Sequence, residues 1–217
     1  MAYEVCGDGN VYPPDADRDW ARGVIALAKE KTTEKADEGT VIHDALERYH
    51  EDPFTASEKD HKLYDAIRQC ILENTGLELL DNFISEARFC NTEYGYAGMC
   101  DLHTAPEVKT PWVIDYKSKD DSAFDKSIRG YPEQGQQLVA YRAGLLGVKS
   151  KARIANIFIS RDEPAEGEPW KVSWYEHKDP DYLWACFLTT LAMWQMDKKF
   201  GPIYDKWLSE HKLAQEQ

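Results

Sequence analysis

In residues 112–119, Trp112-Val113-Ile114-Asp115-Tyr116-Lys117-Ser118-Lys119, the stretch Trp112 to Lys117 has strand character and runs from an apolar start into charged side chains. In a strand, successive side chains point to opposite faces, so Val113, Asp115 and Lys117 share one face while Trp112, Ile114 and Tyr116 share the other. A carboxylate and an ammonium therefore stand side by side at the end of an otherwise apolar run.

Upstream, Phe83 to Cys90 and Tyr94 to His103 also have strand character, separated by the turn-prone Asn91 to Glu93, and Thr104 to Pro111 leads into Trp112. These three segments predict a meander. Before them, helical spacing marks 16–31, 38–51 and 57–74; Val41, Ile42, Ala45, Leu46 and Tyr49 form the stripe of the second, and Gly76 stops the third. After the meander, a helix is predicted over 132–146, with Pro132 suited to its first turn and Gly147 to its end. Ala152 to Ser160 and Trp170 to Glu176 predict two more strands, with the polar turn 161–169 between them. From Pro180 to Phe200, Leu183, Trp184, Phe187, Leu188, Leu191 and Trp194 predict a long amphipathic helix covering a sheet face. The order of elements predicts an α/β (α+β) fold with a central sheet flanked by helices.

At 217 residues, with 42% hydrophobic and 12% aromatic content, the chain is expected to form a single domain over 1–217. No run of about 18 apolar residues and no signal-peptide pattern is seen, so the expectation is a cytoplasmic, intracellular protein without a membrane partner. Cys6, Cys70, Cys90, Cys100 and Cys186 are odd in number and widely spaced, which suits reduced thiols. The net charge of −13 argues against broad, nonspecific phosphate binding. A site that gathers carboxylates around divalent cations needs only a local positive field, so the charge does not exclude nucleic acid.

Asp101 follows a segment carrying Gly98, whose missing side chain permits close approach by backbone or ligand. If its strand is the antiparallel neighbour of 112–119, Asp101 reaches the same place as Asp115. Two such carboxylates are oxygen ligands for a hard divalent cation, and the Lys117 ammonium beside them can orient a water or offset charge on a phosphorane-like transition state. A bare D-x-K is more often an ordinary exposed ion pair. Here it follows an apolar strand and a Gly-x-x-Asp segment, and precedes a helix with Gln137 and Tyr141.

With those residues in view, the chain resembles the RecB-type branch of the PD-(D/E)XK nucleases, found among recombination and phage exonucleases. Four motifs match in order over about half the chain: Gly39, His43 and Glu47; Gly98 to Asp101; Asp115 to Lys117; and Gln137 to Tyr141. The resemblance implies a restriction-endonuclease-like core. It makes His43, Asp101, Asp115 and the Tyr116 backbone carbonyl ligands of one or two Mg²⁺ or Mn²⁺ ions, with Lys117 positioning or activating water. An imidazole in the set favours Mn²⁺ somewhat. By itself His43 reads as a partly buried histidine on the apolar stripe of its helix. Glu86 reads equally as a further acidic ligand or as a solvated charge. Gln137 and Tyr141 share a helix face that can touch DNA or buttress the site, and Tyr141 can equally be packing. Lys119, Lys126 and Arg129 can lie near phosphates or be plain loop charges. Some members of this branch hold an iron–sulfur cluster on four cysteines; with Cys6 upstream and only Cys186 far downstream, none is expected here.

The function so implied is hydrolysis of DNA phosphodiesters at ends, during recombination or repair, with a recombination protein or a second copy as a possible partner. The rivals are an endonuclease on the same fold, which alone would cut circular DNA, and a noncatalytic acidic interaction module.

Overall fold

The computed structural model describes Glu4–Val5, Val11–Tyr12, Ile42, Ala45, Leu46, Tyr49 and residues 56–213. The chain divides into two compact units, Met1–Ile42 and His43–Gln217. In the first, β1 (Glu4–Val5) pairs antiparallel with β2 (Val11–Tyr12), strands too short to show the alternation that reveals longer ones. The helix predicted over 16–31 lies outside the described residues. Of 38–51, Ile42, Ala45, Leu46 and Tyr49 are described, and all four are helical.

The second unit is α+β, a five-stranded mixed sheet flanked by helices. In chain order it holds α1 (Glu58–Thr75), α2 (Leu79–Asn82), β3 (Phe83–Asn91), β4 (Tyr96–Thr104) and β5 (Trp112–Lys119). A 3-10 turn at Asp121–Asp125 leads to α3 (Pro132–Leu146), β6 (Arg153–Ser160), β7 (Val172–Glu176), α4 (Pro180–Lys198) and α5 (Pro202–Leu213). The spatial order is β3-β4-β5-β6-β7; β5 and β6 are parallel, and every other pair is antiparallel. A parallel neighbour cannot be reached by a hairpin, and α3 is the crossover that makes it possible.

Local chemistry sets the ends of these elements. Ser57 Oγ accepts the Asp60 N–H at 3.1 Å while the Asp60 carboxylate accepts the Ser57 N–H at 3.2 Å, a capping box that starts α1. Gly76, at φ 73°, ends α1 in the left-handed region with its N–H on the Leu72 carbonyl. Pro132 opens α3 and Gly147 closes it, as the sequence predicts.

The two faces of β5 separate as the alternation requires. Val113 packs with Leu138 and Val139 of α3 and with Ile154 of β6, whereas Tyr116, on the other face, lies beside Tyr64 of α1. Burying each such aliphatic side chain contributes about 1.5–3 kcal/mol. From Ile154 to Ser160, β6 is buried throughout because it is central in the sheet and covered on both faces. One expectation is corrected. The helix from Pro180 was predicted to cover a sheet face, but α4 lies chiefly against α3, which already covers that face. Only Leu183 and Gln195 of α4 are fully buried, and Tyr182, Met193 and Trp194 are exposed. The helix α5, which the sequence reading does not predict, begins at Pro202, immediately after Gly201 at φ 104° breaks the run.

Candidate active site

The shortest pairing in the sheet is that between β4 and β5. These strands are in register at Leu102 with Ile114 and at His103 with Val113. One step on, at Asp101 and Asp115, the main chains part, and Asp101 Oδ2 accepts the Tyr116 N–H at 2.7 Å in place of a ladder bond. Asp115 extends from β5 at the same level. Both carboxylates are buried, Asp101 at 8% and Asp115 at 2% exposure. Lys117 Nζ lies 2.5 Å from Asp115 Oδ2, and its side chain remains 27% exposed, so the ammonium joins the buried acid to solvent. The pairing of Asp101, Asp115 and Lys117 expected from the sequence is therefore present.

Two like charges out of water raise one another's proton affinity. Burial first, and then the Asp115 carboxylate, push Asp101 up to about 8, against the opposing pull of the Tyr116 N–H and the Lys117 ammonium. Asp101 thus keeps its proton near neutral pH. Glu86 adds to this push. It stands on β3 between the register pairs Ser85 with Leu102 and Ala87 with Cys100, directly across from Asp101. Glu86, Asp101 and Asp115 therefore fall in a row across β3, β4 and β5. The backbone at Glu86 has φ 51°, a left-handed conformation that costs a residue with a Cβ about 1–3 kcal/mol.

Gln137 and Tyr141 are brought to the same site from α3. Gln137 Nε2 donates to the Tyr141 hydroxyl at 2.5 Å. Burial raises the Tyr141 hydroxyl to about 12, and Asp115 and Asp101 are close enough to add to the rise. Gly98 has the role its missing side chain suggests, since a Cβ there would lie 2.9 Å from the Phe89 ring and 3.2 Å from the Tyr141 ring. Lys119 is near the site but occupied differently, its ammonium 4.9 Å from the centre of the Tyr131 ring and 5.5 Å from that of Phe158. Lys126 and Arg129 are exposed in the segment before α3. His43 lies outside the described residues.

Two residues that no sequence motif singles out support Asp115. Asn156 of β6, in parallel register with Asp115, donates its Nδ2 to Asp115 Oδ2 at 2.8 Å and to the Asp115 carbonyl at 3.1 Å. His177, just after β7, places Nε2 2.7 Å from Asn156 Oδ1. Both are buried.

A divalent cation fits the Asp101 and Asp115 pair, because the buried carboxylates repel one another and Asp101 holds a proton that a cation would replace. Among the described residues, no group of three or more histidine, cysteine, aspartate or glutamate side chains is arranged to hold a metal ion, so the described part of the set is Asp101 and Asp115. No helix among the described residues is long and apolar enough to cross a membrane. No protein-family model matches the chain, and no curated protein matches it.

Proposed function

We propose that the chain is a metal-dependent DNA nuclease on a restriction-endonuclease-like core of the RecB-type PD-(D/E)XK kind, acting as an exonuclease at DNA ends in recombination or repair. The observation that carries the reading is the buried Asp101 and Asp115 pair at the point where β4 and β5 part, with the Lys117 ammonium on Asp115. Supporting it are the order of the meander, the crossover α3 and the parallel β6, and the convergence of Gln137 and Tyr141 on the same carboxylates.

Asp101, Asp115 and the Tyr116 carbonyl would hold Mg²⁺ or Mn²⁺, with Glu86 across the strand as a further acid; when bound, the ion polarises a phosphate oxygen and acidifies a water. The protein's own groups do the rest. The partly exposed Lys117 ammonium offsets negative charge as a phosphate takes on a fifth oxygen and orients the water that attacks it. The Asp101 carboxyl is kept in place by the Tyr116 N–H, and Asp115 by Lys117 and Asn156. The Tyr141 hydroxyl accepts from Gln137 and so retains its own hydrogen to donate toward substrate or carboxylate. Lys119 and Arg129 offer positive charge to the strand, which a chain of net charge −13 must supply locally.

The test is cleavage of end-labelled linear DNA and closed circular DNA, single-stranded and duplex, with Mn²⁺, Mg²⁺ or EDTA. Wild type is expected to degrade linear DNA only, with metal only, and Lys117→Ala to lower kcat by about 10²–10³. Cutting of circles would assign an endonuclease. No cleavage by the folded protein with either metal would leave the noncatalytic acidic module.

A further inference from the structure

Asp115 is held from β6 by a chain of hydrogen bonds whose direction is fixed by chemistry. The Asp115 main-chain carbonyl can only accept, and the Asn156 side-chain atom 3.1 Å from it must therefore be the amide nitrogen. The same nitrogen, with its second hydrogen, faces Asp115 Oδ2 at 2.8 Å. Asn156 Oδ1 must then point the other way, 2.7 Å from His177 Nε2, and being an acceptor it requires that Nε2 carry a hydrogen. Burial holds His177 well below the usual histidine range, at about 4, so the ring is neutral and its hydrogen sits on Nε2 alone.

The seat of the imidazole is shaped to this end. A Cβ on Gly135 would lie 2.8 Å from His177 Nδ1, and a Cβ on Gly130 would lie 2.7 Å from His177 Cε1. These glycines, in the first turn of α3 and just before it, let the ring enter a slot that any side chain there would close. Tyr175 stands edge-on to the ring at 4.9 Å between centres. Asn156 is fully buried and His177 nearly so, and the contacts of both run inward, to each other and to Asp115.

We infer that Asn156 and His177 are positioning residues for Asp115: His177 locks the Asn156 amide in one orientation, and that amide locks the carboxylate in the rotamer that binds a divalent cation. This rests on the nuclease reading of the site. A carboxylate with one rotamer loses less freedom on binding a cation than one that must be ordered, and removal of such outer partners ordinarily costs 10- to 100-fold in metal affinity.

The experiment is titration of the full chain with Mn²⁺ alone, without nucleic acid, followed by the electron paramagnetic resonance of free Mn²⁺. Asn156→Leu and His177→Phe, of similar volume and without the donors, are expected to weaken the dissociation constant by about 10- to 100-fold. His177→Gln, whose Nε2 can donate as the imidazole does, is expected to restore it to within about threefold of wild type. Affinity unchanged in folded Asn156→Leu and His177→Phe overturns the inference and leaves the nuclease reading standing. Wild type that binds no Mn²⁺ overturns both. If the variants do not fold, the wild type still decides through the imidazole nitrogen spectrum of His177, assigned through its neighbours Gly130 and Gly135. A hydrogen on Nε2 supports the inference, and a hydrogen on Nδ1 alone overturns it, since the Asn156 amide would then be reversed.

Discussion

The proton on Asp101 makes the stability of this protein depend on pH in a direction opposite to that of an ordinary carboxylate. Its usual value is near 4, and in the folded chain it is pushed up to about 8 by burial and by Asp115. The folded state therefore binds a proton that the unfolded state has lost between those two values. By linkage, this contribution is fully present below about pH 4 and is lost as pH rises through 8. Each unit of separation is worth about 1.4 kcal/mol. Ionising Asp101 in the folded protein at pH 9 should therefore cost on the order of a few kcal/mol, with divalent ions removed. Asp101→Asn abolishes that cost and keeps an oxygen to accept the Tyr116 N–H. Thermal unfolding of wild type and Asp101→Asn in EDTA, followed by circular dichroism from pH 6 to 9.5, isolates the effect, because every other titrating group is common to both. The variant's advantage in melting temperature should be larger at pH 9 than at pH 6 by roughly 5–10 °C, the share of the loss that falls between pH 6 and 8 in a chain of this size. Added Mn²⁺ should raise wild type and leave the variant nearly where it was, since a ligand stabilises the state that binds it. A difference between the two proteins that stays constant from pH 6 to 9.5 would refute the claim that Asp101 is a protonated member of a buried acidic pair.

The remaining predictions address the packing and the substrate side of the site. Gly144→Ala should destabilise by about 1–3 kcal/mol in chemical unfolding, although alanine is the better helix former, because its Cβ would lie 2.1 Å from the Phe89 ring. That ring packs edge-to-face against Tyr96 and Tyr141, contacts that a shift would disturb. Tyr141→Phe should leave the melting temperature within about 3 °C, since the ring still packs on Phe89, while lowering kcat/KM about tenfold if its hydroxyl meets the substrate. An unchanged kcat/KM would assign Tyr141 to packing.

Much of the site was legible in the chain because its signals are local. The alternation in 112–119 places Asp115 and Lys117 on one face, and their side chains meet at 2.5 Å. The spacing of Gln137 and Tyr141 by one helical turn predicts their shared face, and they are hydrogen-bonded to each other. Glu86, which the sequence left between ligand and solvated charge, is placed by register opposite Asp101. Lys119 and Arg129 were legible only as charges, and their neighbours depend on how the segment after β5 folds back.

The sequence by itself determined the elements and the faces of the site: where α1 and α3 start and stop, that three strands form a meander, and that two acids and a lysine can converge. Caps, glycine stops and alternation depend on residues within one turn or one pleat of each other, so a single reading of the chain contains them. Only the tertiary structure decided that β4 and β5 part at Asp101, that α4 stacks on α3, and that Asn156, 41 residues beyond Asp115, and His177, 21 further on, hold the carboxylate. Those pairings follow from the register that β6 and β7 adopt when the apolar faces are buried together, a global minimum of packing that no local pattern in an asparagine or a histidine records.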